Sequence, residues 1–274
     1  MAMDHTNASR AGSAPSGSPG GPSHAEAPLP TAPLPAPAWF AERCTALGVT
    51  FGPGEVDRLG LFLAILLDEN TRQNLTAIRD TDEAWEKHVL DSMTLVGVLA
   101  ELPEGARVID VGTGGGVPGL PLACVMGQVR FTLLDATAKK TAFLARAAAA
   151  LGLTNVDVLT GRAETIGQLG SEHRAAYDAV IARAVGRLAV LSELTVPLAK
   201  VGGLCVLVKG ARAEEELAEA KKALHMLHTA HAGTVETPTG RVVVLEKLRD
   251  TPKMYPRRDG EPKRAPLGVE KGKA

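Results

Sequence analysis

Between Glu55 and Asn70 the apolar residues Val56, Leu59, Phe62, Leu63, Leu66 and Leu67 recur at helical spacing and predict one amphipathic helix. Pro53 and Gly54 punctuate its start, and Asn70 to Asn74 forms a polar break. A second helix is predicted over about 82–99, with Trp85, Val89, Met93 and Val96 on one face. Beyond it the rhythm changes. Short apolar runs at 107–111, 129–134, 155–159, 177–182 and 203–209 predict strands, and they alternate with helical stretches at about 119–126, 137–151, 187–199 and 213–228. Two further strands, at about 230–236 and 241–246, are joined through Pro238 and Gly240 and read as an antiparallel hairpin. The pattern is that of a doubly wound α/β fold: a mostly parallel seven-stranded sheet, closed by an antiparallel hairpin and preceded by a helical cap.

The ends differ from this middle. Residues 1–37 hold eight of the chain's 18 prolines and almost no large apolar side chains, so they cannot bury enough surface to offset their ordering entropy. They are expected to form a disordered tail, or one tethered near Leu34. Residues 249–274 carry eight Lys/Arg against four Asp/Glu, with prolines at 252, 256, 262 and 266, and are expected to be a basic, extended surface tail. The expected organisation is therefore a tail over 1–37, a helical cap over 38–102, the α/β domain over 103–248 and the basic tail over 249–274.

A chain of 274 residues holds one sizeable core. The formal net charge of -1 gives no global pull toward nucleic acid but leaves room for a local basic face. The three cysteines, Cys44, Cys124 and Cys205, lack disulfide or zinc-site spacing and sit among apolar neighbours, so buried, unpaired thiols are expected, and no metal site. No apolar run is long enough to span a bilayer, and none of signal-peptide type opens the chain. A cytoplasmic, membrane-free protein, most simply a monomer, is the expectation.

The chemistry gathers after the first strand. The strand RVIDV at 107–111 runs into GTGGGVPG at 112–119. Glycines let the backbone turn sharply and bring N–H groups against a ligand, and the following helix offers more of them. Pro118 suits the first helical turn. Gly114, Gly116 and Gly119 also fit a dinucleotide fingerprint, with Asp135 about twenty residues on as a ribose ligand. Asp110 leans the choice the other way: a carboxylate before the turn repels a pyrophosphate and suits the positive methionyl end of S-adenosyl-L-methionine. The terminal hairpin likewise favours the Rossmann-like class I methyltransferase variant over the dehydrogenase one, by analogy of fold. In that variant the segment after the third strand, Gly161–Glu164, lies at the adenine rim, where Ala163 offers backbone groups and Glu164 faces the adenine or a neighbouring loop.

Longer motifs then carry a resemblance. NLTAIRD (74–80), WEKHVLDS (85–92), VIDVGTGGGVPGLPLA (108–123), TLLDATAKKTAFL (132–144), GRAE (161–164), IARAV (181–185), PLAKVGG (197–203), LVKG (207–210) and TPKMYPRRDGEPKRAPL (251–267) together resemble the bacterial RsmG family, also called GidB. The resemblance covers about residues 55–267. It implies methyl transfer from S-adenosyl-L-methionine to N7 of a specific guanine in 16S ribosomal RNA, free or in the small subunit. It also implies that Gly112, Val117, Ala163, Glu164 and Arg183 line the cofactor site, with Arg183 as a positioning group. Members usually have Ser-Arg-Ala where this chain has Ala182, Arg183 and Ala184.

Guanine N7 has an in-plane lone pair and no proton at neutral pH, so the reaction needs no general base, and His88 is expected to pack or cap. RNA needs phosphate neutralisation and base contacts. Arg79, Lys87, Lys139, Lys140, Arg187, Lys209, Arg257 and Arg258 are the candidates, with Lys263 and Arg264 after them, and Tyr255 for base stacking. Three other readings stand beside this one: a methyltransferase for a small molecule or protein, an NAD-dependent oxidoreductase, and a non-catalytic RNA-binding factor of ribosome assembly.

Overall fold

The computed structural model describes residue 1, residues 28–183 and residues 186–269. Most of the expected N-terminal tail, the last residues of the C-terminal one and Ala184 lie outside the described residues. The chain order is α1 (Ala38–Ala46), α2 (Glu55–Asn70), α3 (Thr81–Ala84), a π-helical turn (Trp85–Leu90), α4 (Asp91–Met93), α5 (Val96–Leu99), β1 (Arg107–Val111), α6 (Gly119–Val125), β2 (Arg130–Asp135), α7 (Ala138–Ala150), β3 (Val156–Thr160), α8 (Ala163–Ile166), β4 (Tyr177–Arg183), α9 (Leu188–Thr195), β5 (Ala199–Lys209), α10 (Ala213–Met226), β6 (Thr229–Thr237), β7 (Gly240–Lys247) and α11 (Glu261–Arg264).

The sheet has seven strands in the order β3-β2-β1-β4-β5-β7-β6. Strands β1 to β5 pair in parallel, while β7 runs antiparallel to both β5 and β6. The order reverses between β1 and β4, so the carboxyl ends of these two strands form the crevice where open α/β sheets bind ligands.

Alternation along the strands divides the core between the two faces. Ile109, Leu134, Val180, Cys205 and Leu245 face α9, α10 and the C-terminal segment. Val108, Phe131, Ile181, Val206 and Val242 face the other way, toward Leu95, Leu99 and Leu122. On that second side the cap shares a core with the sheet domain. Phe40, Leu59, Phe62, Leu66, Trp85 and Met93 pack with Leu120, Leu133, Phe143 and Leu144. Residues just before α1 join them: the Leu34 amide donates to the Gly60 carbonyl at 3.2 Å, and Leu34 is partly buried against this cluster.

Three departures from the sequence reading matter. The helix expected over 82–99 is present but irregular: α3, the π turn and α4 follow one another without a break and two turn residues lead into α5, with His88 and Asp91 buried. Pro118 stands at the N-cap of α6 rather than inside its first turn. The C-terminal segment is not a surface tail. Tyr255, Pro262 and Leu267 are buried, and the Arg174 guanidinium donates to the carbonyls of Gly167 (2.6 Å), Tyr255 (2.7 Å) and Thr251 (2.8 Å). Prolines and polar residues hide its anchors from a periodicity argument, because an irregular segment buries side chains with no fixed spacing.

Candidate functional site

The site is built outward from the turn between β1 and α6. Gly112, Gly114 and Gly116 have φ of 71°, 59° and 90°, a region that disfavours side chains with a Cβ. A Cβ at Gly114 would meet only the Gly112 carbonyl oxygen, at 3.9 Å, so the backbone there faces open space. Below the turn, Asp110 is fully buried. Its Oδ2 accepts from the Thr113 hydroxyl at 2.6 Å and from the Gly119 amide at 2.9 Å, which ties strand, turn and helix together. Its Oδ1 is buried without a hydrogen-bond partner among the described residues. Burial pushes the carboxyl up to about 6, against the opposing pull of these two hydrogen bonds and of Arg183. Asp110 is therefore first a structural carboxylate of the turn, a role the sequence reading missed, with one oxygen left over.

Asp135 ends β2 beside it. Its oxygens accept from the amides of Gly114 (3.1 Å) and Thr137 (2.8 Å), and Lys140 Nζ stands 3.9 Å away. A carboxylate retains lone pairs beyond these two bonds, enough for a diol.

A loop from the cap covers the turn. The Asn70 side chain accepts from the amides of Leu75 (2.9 Å) and Thr76 (3.0 Å) and donates to the Thr76 carbonyl (2.9 Å), so it shapes residues 71–76 from within. Leu66 and Leu75 then lie against Gly115, where an added Cβ would approach Leu66 to 2.7 Å. The Thr76 hydroxyl meets His88 Nε2 at 3.0 Å. Burial, reinforced by the nearby Arg183 charge, lowers His88 to about 4, so the ring is neutral near pH 7. His88 packs and holds the loop.

At the end of β4, Arg183 points to the same face as Asp110. Its Nη2 lies 3.5 Å from Asp91 Oδ2, and its Nη1 is buried without a hydrogen-bond partner among the described residues. Asp91 also accepts a short hydrogen bond from the Thr239 hydroxyl in the β6–β7 turn. Neither Asp91 nor Thr239 was singled out from the sequence. Asp91 sat unremarked inside WEKHVLDS, and nothing local marks a turn threonine 148 residues downstream as its partner.

On the far rim, after β3, Ala163 and Glu164 are buried. Glu164 does not present a free carboxylate: its Oε1 accepts from the Gly260 amide at 3.0 Å and from Arg162 at 3.2 Å. Burial alone would raise this carboxyl, but the Gly260 amide and Arg162 hold it below its ordinary value. It docks the C-terminal segment onto the rim.

The basic candidates divide. Arg79, Lys139 and Arg258 are exposed and have no ion pair among the described residues, and Lys263 and Arg264 are exposed in α11. Lys87 is half-buried near Asp91. Lys140 leans on Asp135. The other three are committed elsewhere. Lys209 contacts Glu216 at 2.7 Å and the Gly186 carbonyl at 2.6 Å, and its side chain is 9% exposed. Arg187 pairs with Glu219 at 2.6 Å. Arg257 donates through its backbone amide (2.8 Å), Nε (2.8 Å) and Nη2 (2.6 Å) to Glu193, which is fully buried. Tyr255 is 6% exposed and belongs to the core, so it offers no face for a base. The sequence reading gives none of these partners, because a cation's partner is set by tertiary neighbours that spacing does not encode.

The fit to S-adenosyl-L-methionine rests on two orphaned groups. A buried acceptor, Asp110 Oδ1, and a buried donor, Arg183 Nη1, occur on one face of the sheet at adjacent strand ends. Together they suit the ammonium and carboxylate of an amino-acid moiety. Asp135 and the open backbone at Gly114 suit a ribose beside it.

A sheet of this order, with a glycine turn after β1 and an acidic residue closing β2, defines a Rossmann-like class I methyltransferase. Within that class the chain belongs to the GidB family, rRNA small subunit methyltransferase G, whose family model matches residues 55–242. It is 52% identical over 235 residues to the ribosomal RNA small subunit methyltransferase G of Sorangium cellulosum, covering 85% of this chain and 98% of the relative. The protein of that name from Deinococcus radiodurans is 41% identical over 227 residues, covering 81% and 88%. That from Moorella thermoacetica is 38% identical over 229 residues, covering 80% and 93%. Among the described residues no helix is long and apolar enough to cross a membrane.

Proposed function

We propose that this chain transfers a methyl group from S-adenosyl-L-methionine to N7 of a specific guanine in 16S ribosomal RNA, working in the cytoplasm as a monomer on the RNA or on the small subunit. One observation carries the reading: the family match over residues 55–242 contains the glycine turn, Asp110, Asp135 and Arg183, which lie at or just after the carboxyl ends of the neighbouring strands β1, β2 and β4, with Glu164 on the rim after β3. When bound, S-adenosyl-L-methionine supplies an electrophilic methyl carbon on a sulfonium.

The residues of the chain have separable tasks. Asp135 takes the ribose, and the amides around Gly112–Val117 line the site. Asp110 Oδ1 receives the ammonium and Arg183 Nη1 the carboxylate. Ala163 closes the adenine side through its backbone, while Glu164 acts at one remove by seating Gly260. No proton has to leave guanine N7, which agrees with a neutral His88 already engaged by Thr76. Rate then comes from placement and fixed charge. Arg79, Lys87, Lys139, Lys140 and Arg258 remain as the RNA-facing cations. We retain the division into an N-terminal tail, a cap and a methyltransferase domain as the working organisation, with the C-terminal segment counted as part of the last.

The test incubates the protein and labelled S-adenosyl-L-methionine with 30S subunits and with naked 16S RNA from a strain lacking this activity. Label mapped to N7 of one guanine is the expected result. Cofactor binding without label in RNA would overturn the assignment of substrate, and binding of NAD instead would overturn the class.

A further inference from the structure

Arg183 is held from outside its own domain. Its nearest carboxylate is Asp91, at 3.5 Å, on the cap. Asp91 is 6% exposed and follows directly on the π turn, a form of helix frequent at functional sites. Its second oxygen is taken by the Thr239 hydroxyl from the turn of the terminal hairpin. Three separate parts of the chain thus meet at one carboxylate. Lys87, Glu86, the neutral His88 and Asp110 are, among the described residues, the other ionisable groups facing this carboxylate or its arginine.

Such an arrangement is a poor source of stability. A buried ion pair is often no better than apolar residues of the same volume, and here one guanidinium nitrogen is left unsatisfied as well. The geometry makes sense as preorganisation, in which the supporting shell locks a ligand-binding side chain before the ligand arrives.

We propose that Asp91, braced by Thr239, is a positioning residue that fixes the Arg183 guanidinium at the end of β4 so that Nη1 receives the carboxylate of the cofactor's amino-acid end. The inference rests on the proposed cofactor and assigns the groups that aim Arg183. Asp91 touches neither the cofactor nor the base. It acts through the direction of one side chain, and Thr239 acts through Asp91.

The test compares S-adenosyl-L-methionine with its decarboxylated analogue by calorimetry on the full chain. In the wild type, S-adenosyl-L-methionine is bound more tightly. Asp91→Asn weakens its binding about tenfold, equivalent to about 1.4 kcal/mol, while the analogue's affinity stays within twofold. Thr239→Val, a change in a half-buried turn, moves the same ligand in the same direction by about threefold. In an Arg183→Gln background, Asp91→Asn adds no further loss. Equal weakening of both ligands, or fully additive losses with Arg183→Gln, would overturn the positioning role and leave Asp91 a structural residue. If the wild type bound neither ligand, the cofactor reading itself would fall, a result distinguishable because it appears before any substitution is made.

Discussion

The Gly119 amide points its hydrogen at Asp110 Oδ2 across 2.9 Å, joining the first turn of α6 to the last turn-facing residue of β1. The packing allows no side chain at position 119. A Cβ at Gly119 would lie 2.3 Å from Leu133 and 2.9 Å from that same oxygen. The turn is thus fixed by a carboxylate whose other oxygen is buried and unpaired.

This sets a pH dependence for cofactor binding. Burial raises Asp110 from 3.8 to about 6. The carboxyl is raised in the folded state, so its contribution to stability is fully present below the unfolded value and is lost as pH rises through about 6. Binding a cationic amino group favours the ionised form, so affinity should run the opposite way. Calorimetric affinity for S-adenosyl-L-methionine is expected to rise between pH 5 and pH 7, about tenfold for one full unit of linkage, and then to level off. Asp110→Asn should bind weakly and lose the dependence. A wild-type profile flat across that window would refute the assignment of Oδ1.

His88 offers a sharper negative. Its folded value, about 4, lies below the ordinary 6.5, so its contribution to stability is present above pH 6.5 and fades as pH falls toward 4. His88→Gln can still reach the Thr76 hydroxyl. Methyl transfer by this variant is expected to remain within tenfold of wild type, whereas removing a general base costs about 100- to 10,000-fold. Single-turnover rates would separate the two.

Arg257 and Arg258 are neighbours with opposite roles. Arg257→Ala leaves Glu193 buried without its counter-charge and should cost about 3–5 kcal/mol in urea unfolding. Arg258→Ala should change stability by less than about 0.5 kcal/mol, as surface substitutions do. It should instead lower RNA affinity and shrink the slope of log K against log salt by about 1. Equal effects of the two on either measurement would contradict the structure.

Gly116→Ala tests the turn itself. Its φ of 90° and the 2.5 Å approach of a Cβ to Leu120 Cδ1 both oppose a side chain. The backbone conformation alone should cost about 1–3 kcal/mol, visible as a lower melting temperature together with weaker cofactor binding.

What the sequence made legible was whatever depends on local period or on a local turn. The strands from Arg107–Val111 to Gly240–Lys247 were placed within a few residues, because short apolar runs broken by helices leave a plain trace. Glu55–Asn70 was placed to the residue. The π turn was missed because an extra residue in a helical turn scarcely disturbs an apolar stripe. Arg257 and Tyr255 were misread because their partners are distant in sequence. Glu193 is 64 residues from Arg257, and Tyr255 fills a core set by α9 and α10. Long-range pairing also hid Thr239, which became visible only once β6 and β7 had carried their turn back to the cap.

The shared core of cap and sheet has a consequence for how the chain is made. Leu59, Phe62, Leu66 and Trp85 find their permanent neighbours in Leu120, Leu133, Phe143 and Leu144. Synthesis runs from the N-terminus, so the cap helices leave the ribosome with their apolar stripe unmatched and wait for β2 and α7. The seat of the glycine turn is laid down before the turn exists. Its exposure lasts as long as translation takes to reach α7, and a pause within that interval is when a nascent chain would most need a chaperone.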